Sequence, residues 1–504
     1  MPLDILILAD LHYPFYGATG APYHGDKARL FFQKALRKLR HENITPGLIV
    51  LLGDLLDDPA APDADFYLSL LAEEILKPGI PVLAIPGNHD NAARVAEIFN
   101  CPPGLHIVNG VGFLLFHDTF ERKTKRFIRS KAGLALPEKT AREHPGLPLI
   151  ALQHPALASV VPKKYRLENA ADALDSLAAA NVLASFSGHA HETHSPGQHG
   201  PVAVHTLPAF CEPPFAFLHV RVDGAEVAAT RHALKLPDAP PLADTHSHSA
   251  FAMCANNINV ADNIRVADVL GLHTLAVTEH AFQLYFPPPI AWSFQWVDDP
   301  AHAEAAWQTP GRGRMAAYKS FIQTHRRKNI LLGLELELHD NGKLLLHPGD
   351  RDGWDIFLGA MHRIQGAAKG MPPADIEALY MRDLDALCGH PIHILAHPLR
   401  IFKSYNTPPP VHLYDDIARR LAKAGVAAEM NFHDTPPDPA FVTACLRRGV
   451  KLSLGTDTHS QPYIADLHPH LKLLGELGVK PGDFPRVLLD ISKGALRRHS
   501  HGNL

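Results

Sequence analysis

The sequence predicts an α/β protein with two domains, and three observations support this prediction. Short apolar runs typical of buried strands alternate with segments of helical periodicity along the chain. Residues 235–243, which contain three prolines and no periodicity, interrupt this alternation near the middle. The length of 504 residues fits two domains of about 250 residues each.

The first half, residues 1–234, carries six predicted strands with helical segments between them. Residues 26–39 and 63–76 have apolar side chains at helical spacing, and Asp26 is the expected N-cap of the first helix. This alternation predicts parallel strands that helices cover on both faces. The strands are predicted at Ile5–Ala9, Leu48–Leu52, Val82–Ile85, Leu114–Phe116, Leu149–Leu152 and Val182–Phe186.

The second half, residues 244–492, continues with another strand series after the proline-rich linker. Helical patterns at 415–423 and 440–447 lie between these strands. Parallel strands in this number, over about 250 residues, predict a barrel or distorted barrel. Residues 493–504 are expected to form a frayed C-terminal tail. The strands are predicted at Thr274–Thr278, Ile330–Leu334, Ile356–Ala360, Ile392–Ala396, Val426–Met430 and Lys451–Leu454.

The composition excludes several classes of protein. A net charge of −4 indicates no general attraction to nucleic acid or anionic membranes. Five scattered cysteines without a CxxC pattern exclude a disulfide framework and a zinc finger. No basic leader and no stretch of about 18 apolar residues is found, so we expect a cytoplasmic protein without a membrane span. The 34 histidines are unusual and point to metal binding or proton transfer.

Compact metal donors follow the predicted strands of the first half. Because the carboxyl ends of parallel strands meet at one edge of a sheet, these side chains are expected to converge. Seven ligands are too many for one open site but suit two ions that share a carboxylate. Mixed imidazole and carboxylate donors favour Zn, Mn or Fe, and a pair of such ions suits displacement at phosphorus. The donors are Asp10, His12, Asp54, Asn88, His154, His189 and His191.

The order of these motifs resembles that of the calcineurin-like metallophosphoesterases, over about residues 1–235. The family pattern of DxH, GDxxD, GNH(D/E), a later His and GHxH is complete in this chain. The resemblance implies a layered β-sheet sandwich flanked by helices. The motifs stand here as Asp10-Leu-His12, Gly53-Asp54-Leu-Leu-Asp57, Gly87-Asn88-His89-Asp90, His154 and Gly188-His189-Ala-His191.

The same resemblance implies a role for each residue of the first site. Asp54 would bridge two metal ions. His89 would stabilise the transition state or protonate the leaving group, and Asp90 would orient His89. The remaining ligands would divide between the ions as Asp10, His12 and His191 on one, and Asn88, His154 and His189 on the other.

A second series of donors follows the strands of the second half. A carboxylate among many imidazoles again suggests a bridging ligand in a cluster of several ions. The donors are His246, His248, His280, Glu335, His362, His397, Asp457 and His459.

This second set resembles the polymerase and histidinol phosphatase (PHP) family, over about residues 243–490. The resemblance implies a distorted (β/α)7 barrel around two or three metals, with Glu335 as the bridge. His246, His248 and Asp457 would share the first ion. The second ion would take His362 and His397, and a third would take His280 and His459.

One departure from the PHP pattern concerns the third ion. Many members of the family place a further His or acid shortly after the opening HxH motif, whereas this chain has SAFAMCANN. The alternatives there are Cys254, Asn256 and Asn257. Cys254 is either a thiolate ligand or a small buried residue, and the sequence leaves both readings open.

A long insert separates His280 from Ile330. Its aromatic residues favour a lid or specificity wall over disorder, and a satellite packing cluster is the alternative. Four arginines near the ligand motifs are candidates for binding substrate phosphate. The aromatic residues are Tyr285, Phe286, Trp292, Phe294, Trp296 and Trp307, and the arginines are Arg312, Arg314, Arg363 and Arg400.

The sequence therefore predicts a bifunctional, metal-dependent phosphoester hydrolase that acts on a small molecule. Two ions are expected in the first half and two or three in the second. The sites could act in sequence, one opening a diester and the other removing the resulting monoester. A nuclease or DNA-repair factor is the alternative, based on the basic run Arg122–Lys131. In a third reading, one half is catalytic and the other is a scaffold.

Overall fold

The computed structural model of the protein describes residues 2–14, 23–191 and 195–496. The chain divides into two compact units, Met1–Lys235 and Leu236–Leu504. Both units combine helices with largely parallel strands, which confirms the predicted α/β class. Within the described ranges, no helix has the length and apolar character needed to cross a membrane. The last eight residues, expected to fray, lie outside the described residues.

The first unit contains two main sheets with helices packed around them. Its strands are β1 (Leu3–Leu8), β2 (Leu48–Leu52), β3 (Val82–Ile85), β4 (Gly104–Val108), β5 (Val111–Leu115), β6 (Thr119–Glu121), β7 (Arg126–Ile128), β8 (Leu149–Leu152), β9 (Ala184–Ser187), β10 (Ser195–His199), β11 (Val202–Thr206), β12 (Ala216–Asp223) and β13 (Glu226–Ala233). Its helices are α1 (Ala28–His41), α2 (Ala64–Leu76), α3 (Ala92–Ile98), α4 (Lys131–Glu143) and α5 (Ala170–Ala179).

The order of strands in these sheets places the predicted donors at neighbouring strand ends. One sheet has the order β13-β12-β1-β2-β3 and the other has β10-β11-β9-β8-β5-β4. The pairs β1–β2, β2–β3, β5–β8 and β8–β9 are parallel. Strands β6 and β7 form a separate hairpin. The layered sheets predicted from the first resemblance are confirmed.

The start of α1 differs from the prediction. Asp26 is not its N-cap, because a short 3₁₀ turn over Gly25–Lys27 precedes the helix and Lys27 takes the cap position. The Asp26 carboxylate instead pairs with Lys27 Nζ at 2.7 Å.

The antiparallel strands β12 and β13 were not predicted. Their inner and outer residues alternate, so they lack the continuous apolar run of a central strand.

The second unit is built around one parallel sheet of seven strands. Its strands are β14 (Ala243–Asp244), β15 (Thr274–His280), β16 (Ile330–Leu336), β17 (Leu338–His339), β18 (Lys343–Leu344), β19 (Ile356–Gly359), β20 (Ile394–Leu395), β21 (Ala427–Asn431) and β22 (Leu452–Gly455). Its helices are α6 (Val260–Val269), α7 (Ala281–Tyr285), α8 (Pro288–Ser293), α9 (Ala301–Trp307), α10 (Met315–Gln323), α11 (Pro373–Cys388), α12 (Tyr414–Ala424), α13 (Pro439–Arg448), α14 (His468–Glu476) and α15 (Phe484–Val487).

The seven-stranded sheet curls into a nearly closed barrel, as predicted. The strand order is β14-β15-β16-β19-β20-β21-β22, and every neighbouring pair is parallel. The first and last strands approach each other, since Thr245 N donates to Leu454 O at 2.9 Å and Ser247 bridges to Thr458. The barrel is distorted because β14 and β20 contain only two residues each.

Two segments predicted as loose are packed in the structure. In the proline-rich stretch, Leu236 and Leu242 are buried, and Leu236 N donates to Leu270 O at 2.8 Å. Leu496, in the expected tail, is buried in a core cluster with the barrel residues Ala276 and Ile394. Residues up to 496 therefore help to close the base of the barrel.

The packing of Leu496 leads to a stability prediction. Leu496→Ala should lower the free energy of unfolding of the second unit by about 2–5 kcal/mol, because it leaves a cavity in that core. Urea unfolding followed by circular dichroism measures the change. Val411→Ala, at an exposed valine of the same unit, is the control. Equal stability of the two variants would contradict the packing role of Leu496.

Candidate metal centres

The predicted donors of the first unit lie where β1, β2, β3, β8 and β9 end. The backbone turns sharply at these points. Asp10, His12, Asp54, His189 and His191 all have positive φ values, between 48° and 69°. Residues other than glycine rarely adopt this left-handed conformation, and such strain clusters at functional sites.

Asp54 lies at the centre of the first cluster. Its Oδ2 atom is 3.3 Å from His154 Nε2 and 3.8 Å from His12 Nε2. Asp54 also belongs to two groups of side chains whose ligand atoms all lie within 4.8 Å of one another. Such sharing suits a carboxylate that bridges two ions. The groups are Asp10, His12, Asp54 and His191, and Asp54, His154 and His189.

The residues present fit metal ions in this cluster. Within the described part of the chain, the buried atoms His154 Nε2 and Asn88 Oδ1 have no hydrogen-bond partner. Burial raises the pKa of Asp54, but the imidazoles of His154 and His12 hold it well below its usual range. Burial lowers the pKa of His189 to about 3, which favours the neutral imidazole that a metal ligand needs. Against the effect of burial, Asp54 raises the pKa of His154 to about 9 and Asp10 raises that of His191 to about 10, so the two carboxylates draw positive charge onto these imidazoles. A buried carboxylate anion beside ligand atoms that have no hydrogen-bond partner requires cations nearby.

The close packing around Asp54 requires the glycine at position 87. A Cβ atom on Gly87 would lie 2.1 Å from Asp54 Oδ1 and 2.4 Å from the Asp54 nitrogen. The backbone N–H of His89 donates to the same Oδ1 at 2.8 Å. The GNHD loop therefore wraps directly around the central carboxylate.

His89 faces the cluster, but its ring is held by Asp57 rather than by Asp90, the residue expected to orient it. The ring lies 4.9 Å from the His12 ring, between centroids, and its Nδ1–H donates to Asp57 O. Asp90 does not orient this ring. Its carboxylate accepts hydrogen bonds from the backbone N–H groups of Leu55, Leu56 and Gly87 at 2.8–3.1 Å. Asp90 therefore joins the loop after β2 to the loop after β3.

Glu212 and Tyr23 are among the residues beside the first cluster that the sequence analysis missed. His191 Nδ1–H donates to Glu212 Oε1 at 2.7 Å, and a carboxylate behind a ligating imidazole fixes the tautomer of that imidazole. The Tyr23 ring lies 5.2 Å from the His12 ring and 5.4 Å from the His191 ring. Neither residue belongs to a motif, so the sequence carried no signal for them.

Glu335 has the central position in the second cluster. Its side chain is fully buried, and its oxygens lie 2.6 Å from His280 Nδ1 and 2.8 Å from His397 Nε2. Further imidazole nitrogens lie 3.3–3.9 Å from Glu335, and they belong to His246, His362 and His248.

Asp457 and His459 complete this cluster, so the structure brings all eight predicted donors together. Asp457 Oδ1 lies 2.9 Å from His248 Nε2 and 3.5 Å from His246 Nε2. His459 packs with its ring 4.3 Å from that of His248. Two groups of close ligand atoms result, namely His246, His248 and Asp457, and His248, His280 and His459.

The second cluster also fits metal ions. Among the described residues, the buried atoms His246 Nε2, His280 Nδ1 and Glu335 Oε2 make no hydrogen bond, although they lie within 3.3 Å of each other in His–Glu pairs. Burial raises the pKa of Glu335, but the imidazoles of His280 and His246 hold it well below its usual range. The lone pairs of these atoms converge on one position, and a cation would bind there.

Three buried glutamates behind the second cluster were also missed. Each accepts a hydrogen bond from the Nδ1–H of one predicted ligand. The pairs are His246–Glu429 at 2.8 Å, His248–Glu279 at 3.2 Å and His362–Glu337 at 3.0 Å. A charged residue inside an apolar strand, as Glu429 is in VAAEMN, is a signal that could have identified one of them.

Cys254 faces the imidazoles of the second cluster. The residue as a whole is exposed, whereas its sulfur accepts a hydrogen bond from Gln283 Nε2 at 3.3 Å. Desolvation of the sulfur raises the pKa of the thiol, but His280 and His459 outweigh this effect and lower it to about 5. Of the two readings left open by the sequence, the small buried residue is excluded.

The four candidate arginines have different environments, and that of Arg363 includes Asp298, with Nη2 and Oδ2 3.4 Å apart. Arg312 pairs with Asp350 through two nitrogens, and Arg314 donates to the carbonyl oxygens of Phe251 and Gln283. These two arginines hold the insert in place, which corrects the expectation that they bind phosphate. Arg400 Nη1 donates to Asp457 Oδ2 at 2.6 Å and therefore lies in the second cluster.

The basic run at 122–131 offers fewer surface cations than the sequence suggested. It lies on the β6–β7 hairpin and the residues that follow it. Arg129 is buried, pairs with Asp118 at 2.9 Å and lies over the Phe116 ring. Five basic residues are left for a nucleic-acid surface, which weakens the nuclease alternative.

Comparison with known proteins identifies a family in each half. Residues 3–193 match the family model for calcineurin-like phosphoesterases, and residues 244–433 match the model for the PHP domain. Both resemblances drawn from the motifs are confirmed. These families define the protein as a metal-dependent hydrolase that acts on phosphoester bonds.

Individual relatives each match less than half of this chain. The 3′,5′-cyclic adenosine monophosphate phosphodiesterase CpdA of Haemophilus influenzae is 28% identical over 218 residues, which is 42% of this chain and 77% of that protein. A dimetal phosphatase from Danio rerio matches with a TM-score of 0.38 and 14% identity, covering 46% of this chain and 98% of that one. TT1561 of Thermus thermophilus matches with a TM-score of 0.33 and 14% identity, covering 46% and 99%.

The packing of Gly87 predicts a selective defect in the first cluster. Gly87→Ala should abolish metal binding there, because the added Cβ collides with Asp54, and should leave the second cluster loaded. Metal content per chain, measured by elemental analysis, tests this prediction. Gly197→Ala is the control, since a Cβ there would meet only Val204 O, at 3.9 Å. Unchanged metal content in Gly87→Ala would contradict the role of this glycine.

The glutamates behind the second cluster predict a change in metal affinity. Glu429→Gln should weaken metal binding about 10–100-fold, because the His246 imidazole loses its charged partner. Competition with a chelator measures the affinity. Glu377→Gln, which removes the charge of a surface partner of His412, is the matched control. Equal affinities of the two variants would show that Glu429 does not tune the ligand.

Proposed function

We propose that the chain is a bifunctional phosphoester hydrolase in which the first unit opens a small phosphodiester and the second removes phosphate from the resulting monoester. The observation that carries this proposal is the presence of two separate clusters, each with its own central buried carboxylate, Asp54 or Glu335. A scaffold unit would not need a desolvated carboxylate surrounded by imidazoles, because such a group is costly to bury.

In the first unit, Asp54 would bridge two ions. The ions would supply charge neutralisation and an activated water for attack at phosphorus. His89 lies next to His12 and is held through Nδ1, so Nε2 is the atom that would exchange a proton with the leaving oxygen. A relative named as a cyclic nucleotide phosphodiesterase supports a diester as the substrate. The other proposed ligands are Asp10, His12 and His191 for one ion, and Asn88, His154 and His189 for the other.

In the second unit, Glu335 would bridge two ions, with a third ion close by. His246, His248 and Asp457 would hold the first ion, and the second would take His362 and His397. The third would lie among His280, His459 and the sulfur of Cys254, because both imidazoles lower the pKa of this thiol. Arg400 would orient Asp457 and, with Arg363, attract the phosphate of the substrate.

We propose two ions in the first unit and three in the second, chosen from Mn, Zn and Fe. The imidazole-rich donor sets favour these metals over Mg or Ca, which prefer oxygen ligands. A thiolate ligand would favour Zn at the third position of the second unit. Elemental analysis of the purified chain, compared with Cys254→Ser, would identify that ion by its selective loss.

A pair of substitutions separates the two proposed activities. Asp54→Asn should abolish diester hydrolysis and retain hydrolysis of the monoester, because only the first cluster loses its bridge. Glu335→Gln should do the opposite and let the monoester accumulate. Adenosine 3′,5′-cyclic monophosphate and its monoester product, separated by chromatography, report both steps. Asp175→Asn, at an exposed carboxylate, is the control. If each variant retained both steps, the division of labour would be wrong.

A further inference from the structure

The insert after His280 carries an aromatic cluster beside the second metal centre. Phe282 lies at its centre. The centroid of the Phe282 ring is 5.4 Å from that of Trp296, 5.6 Å from that of Phe294 and 6.1 Å from that of Trp292. Phe282 and Trp296 are stacked, with 19° between their planes, and both are fully buried. These two rings form the buried inner layer of the cluster.

The cluster touches the proposed metal ligands directly. The Phe282 ring lies 5.3 Å from the ring of His280 and 5.7 Å from that of His362, between centroids. Both histidines lie beside Glu335. The aromatic cluster is therefore part of the wall of the second metal centre.

The outer layer of the cluster is open to solvent. Trp292 is 46% exposed, and Phe294 is half-buried. A large ring that contributes little burial at its outer face is poorly explained by core packing. Phe294 also has a φ of 53°, a left-handed conformation that is strained for a bulky residue, and such strain marks functional positions.

A cation beside the second cluster contacts the same insert. Arg363 follows His362 in sequence, and its Nη2 lies 3.4 Å from Asp298 Oδ2, a carboxylate of the insert. Asp298 N–H in turn bonds to Gln295 O at 3.1 Å, in the turn that follows Phe294. The ion pair therefore joins the loop that carries His362 to the insert, four residues after Phe294.

We propose that Trp292 and Phe294 form a stacking platform for the flat aromatic ring of a phosphomonoester bound at the second metal centre, with the phosphate directed to the metals and Arg363. The substrate class is a nucleoside monophosphate, whose base would stack on the platform. This inference rests on the proposed function of the second unit and names its substrate class. It also matches the product that the first unit would release from a cyclic nucleotide.

Two substrates that differ only in the aromatic ring test the platform. Adenosine 5′-monophosphate carries a base, and ribose 5-phosphate has the same sugar phosphate without it. In full-length chain, Trp292→Leu should raise KM for the nucleotide by roughly 5–100-fold, the loss expected for one stacked base, with kcat little changed. Kinetics with ribose 5-phosphate should stay within about twofold of the unsubstituted chain. Trp292→Tyr should restore most of the nucleotide affinity.

Trp307→Leu is the matched control, because this tryptophan belongs to the same insert but packs against Tyr285, His339 and His347. Quenching of tryptophan fluorescence by the nucleotide should be lost in Trp292→Leu and kept in Trp307→Leu. Equal effects of Trp292→Leu on both substrates, or no effect on either, would overturn the platform. If the chain hydrolysed neither monoester while the nucleotide still quenched Trp292, the proposed phosphatase function would fail and the platform would stand.

Discussion

The whole arrangement depends on two carboxylates, Asp54 and Glu335, that are buried at the strand ends and surrounded by imidazoles. Removing a carboxylate from water costs several kcal/mol unless positive charge surrounds it. The pKa of each carboxyl lies well below its usual range, so each brings a full negative charge into its cluster. Left-handed turns at the ligands and the close approach of Gly87 are the local means by which each unit packs ligands around that charge.

A second layer of acidic side chains stands behind the ligands of both clusters. Glu212 stands behind His191, and Glu279, Glu337 and Glu429 stand behind ligands of the second cluster. Each fixes which imidazole nitrogen carries the proton and directs the other nitrogen inward. Burial and the nearby Glu335 raise the pKa of Glu337 well above its usual range, so Glu337 acts on His362 through a hydrogen bond rather than through negative charge.

The donors at strand ends could be predicted from the sequence because parallel strands bring their carboxyl ends to one edge. Asp10 and His397, for example, each follow an apolar run of strand length. Other features could not be predicted, since they depend on contacts distant in sequence. Asp90 has the position of an orienting residue but is engaged by three backbone N–H groups. Arg312 resembles a phosphate ligand in sequence, and only the fold reveals Asp350 beside it.

The cations beside each cluster bear on the substrates proposed for the two units. A phosphomonoester carries nearly two negative charges at neutral pH, whereas a diester carries one. The ligand atoms close to Asp54 belong to imidazoles and another carboxylate, and the Tyr23 ring lies beside that of His12. The second cluster adds Arg400, buried against Asp457, and Arg363 at the rim. Arg400 therefore places a fixed cation beside a proposed ligand of the second cluster, where it would contact a phosphate oxygen of a bound monoester.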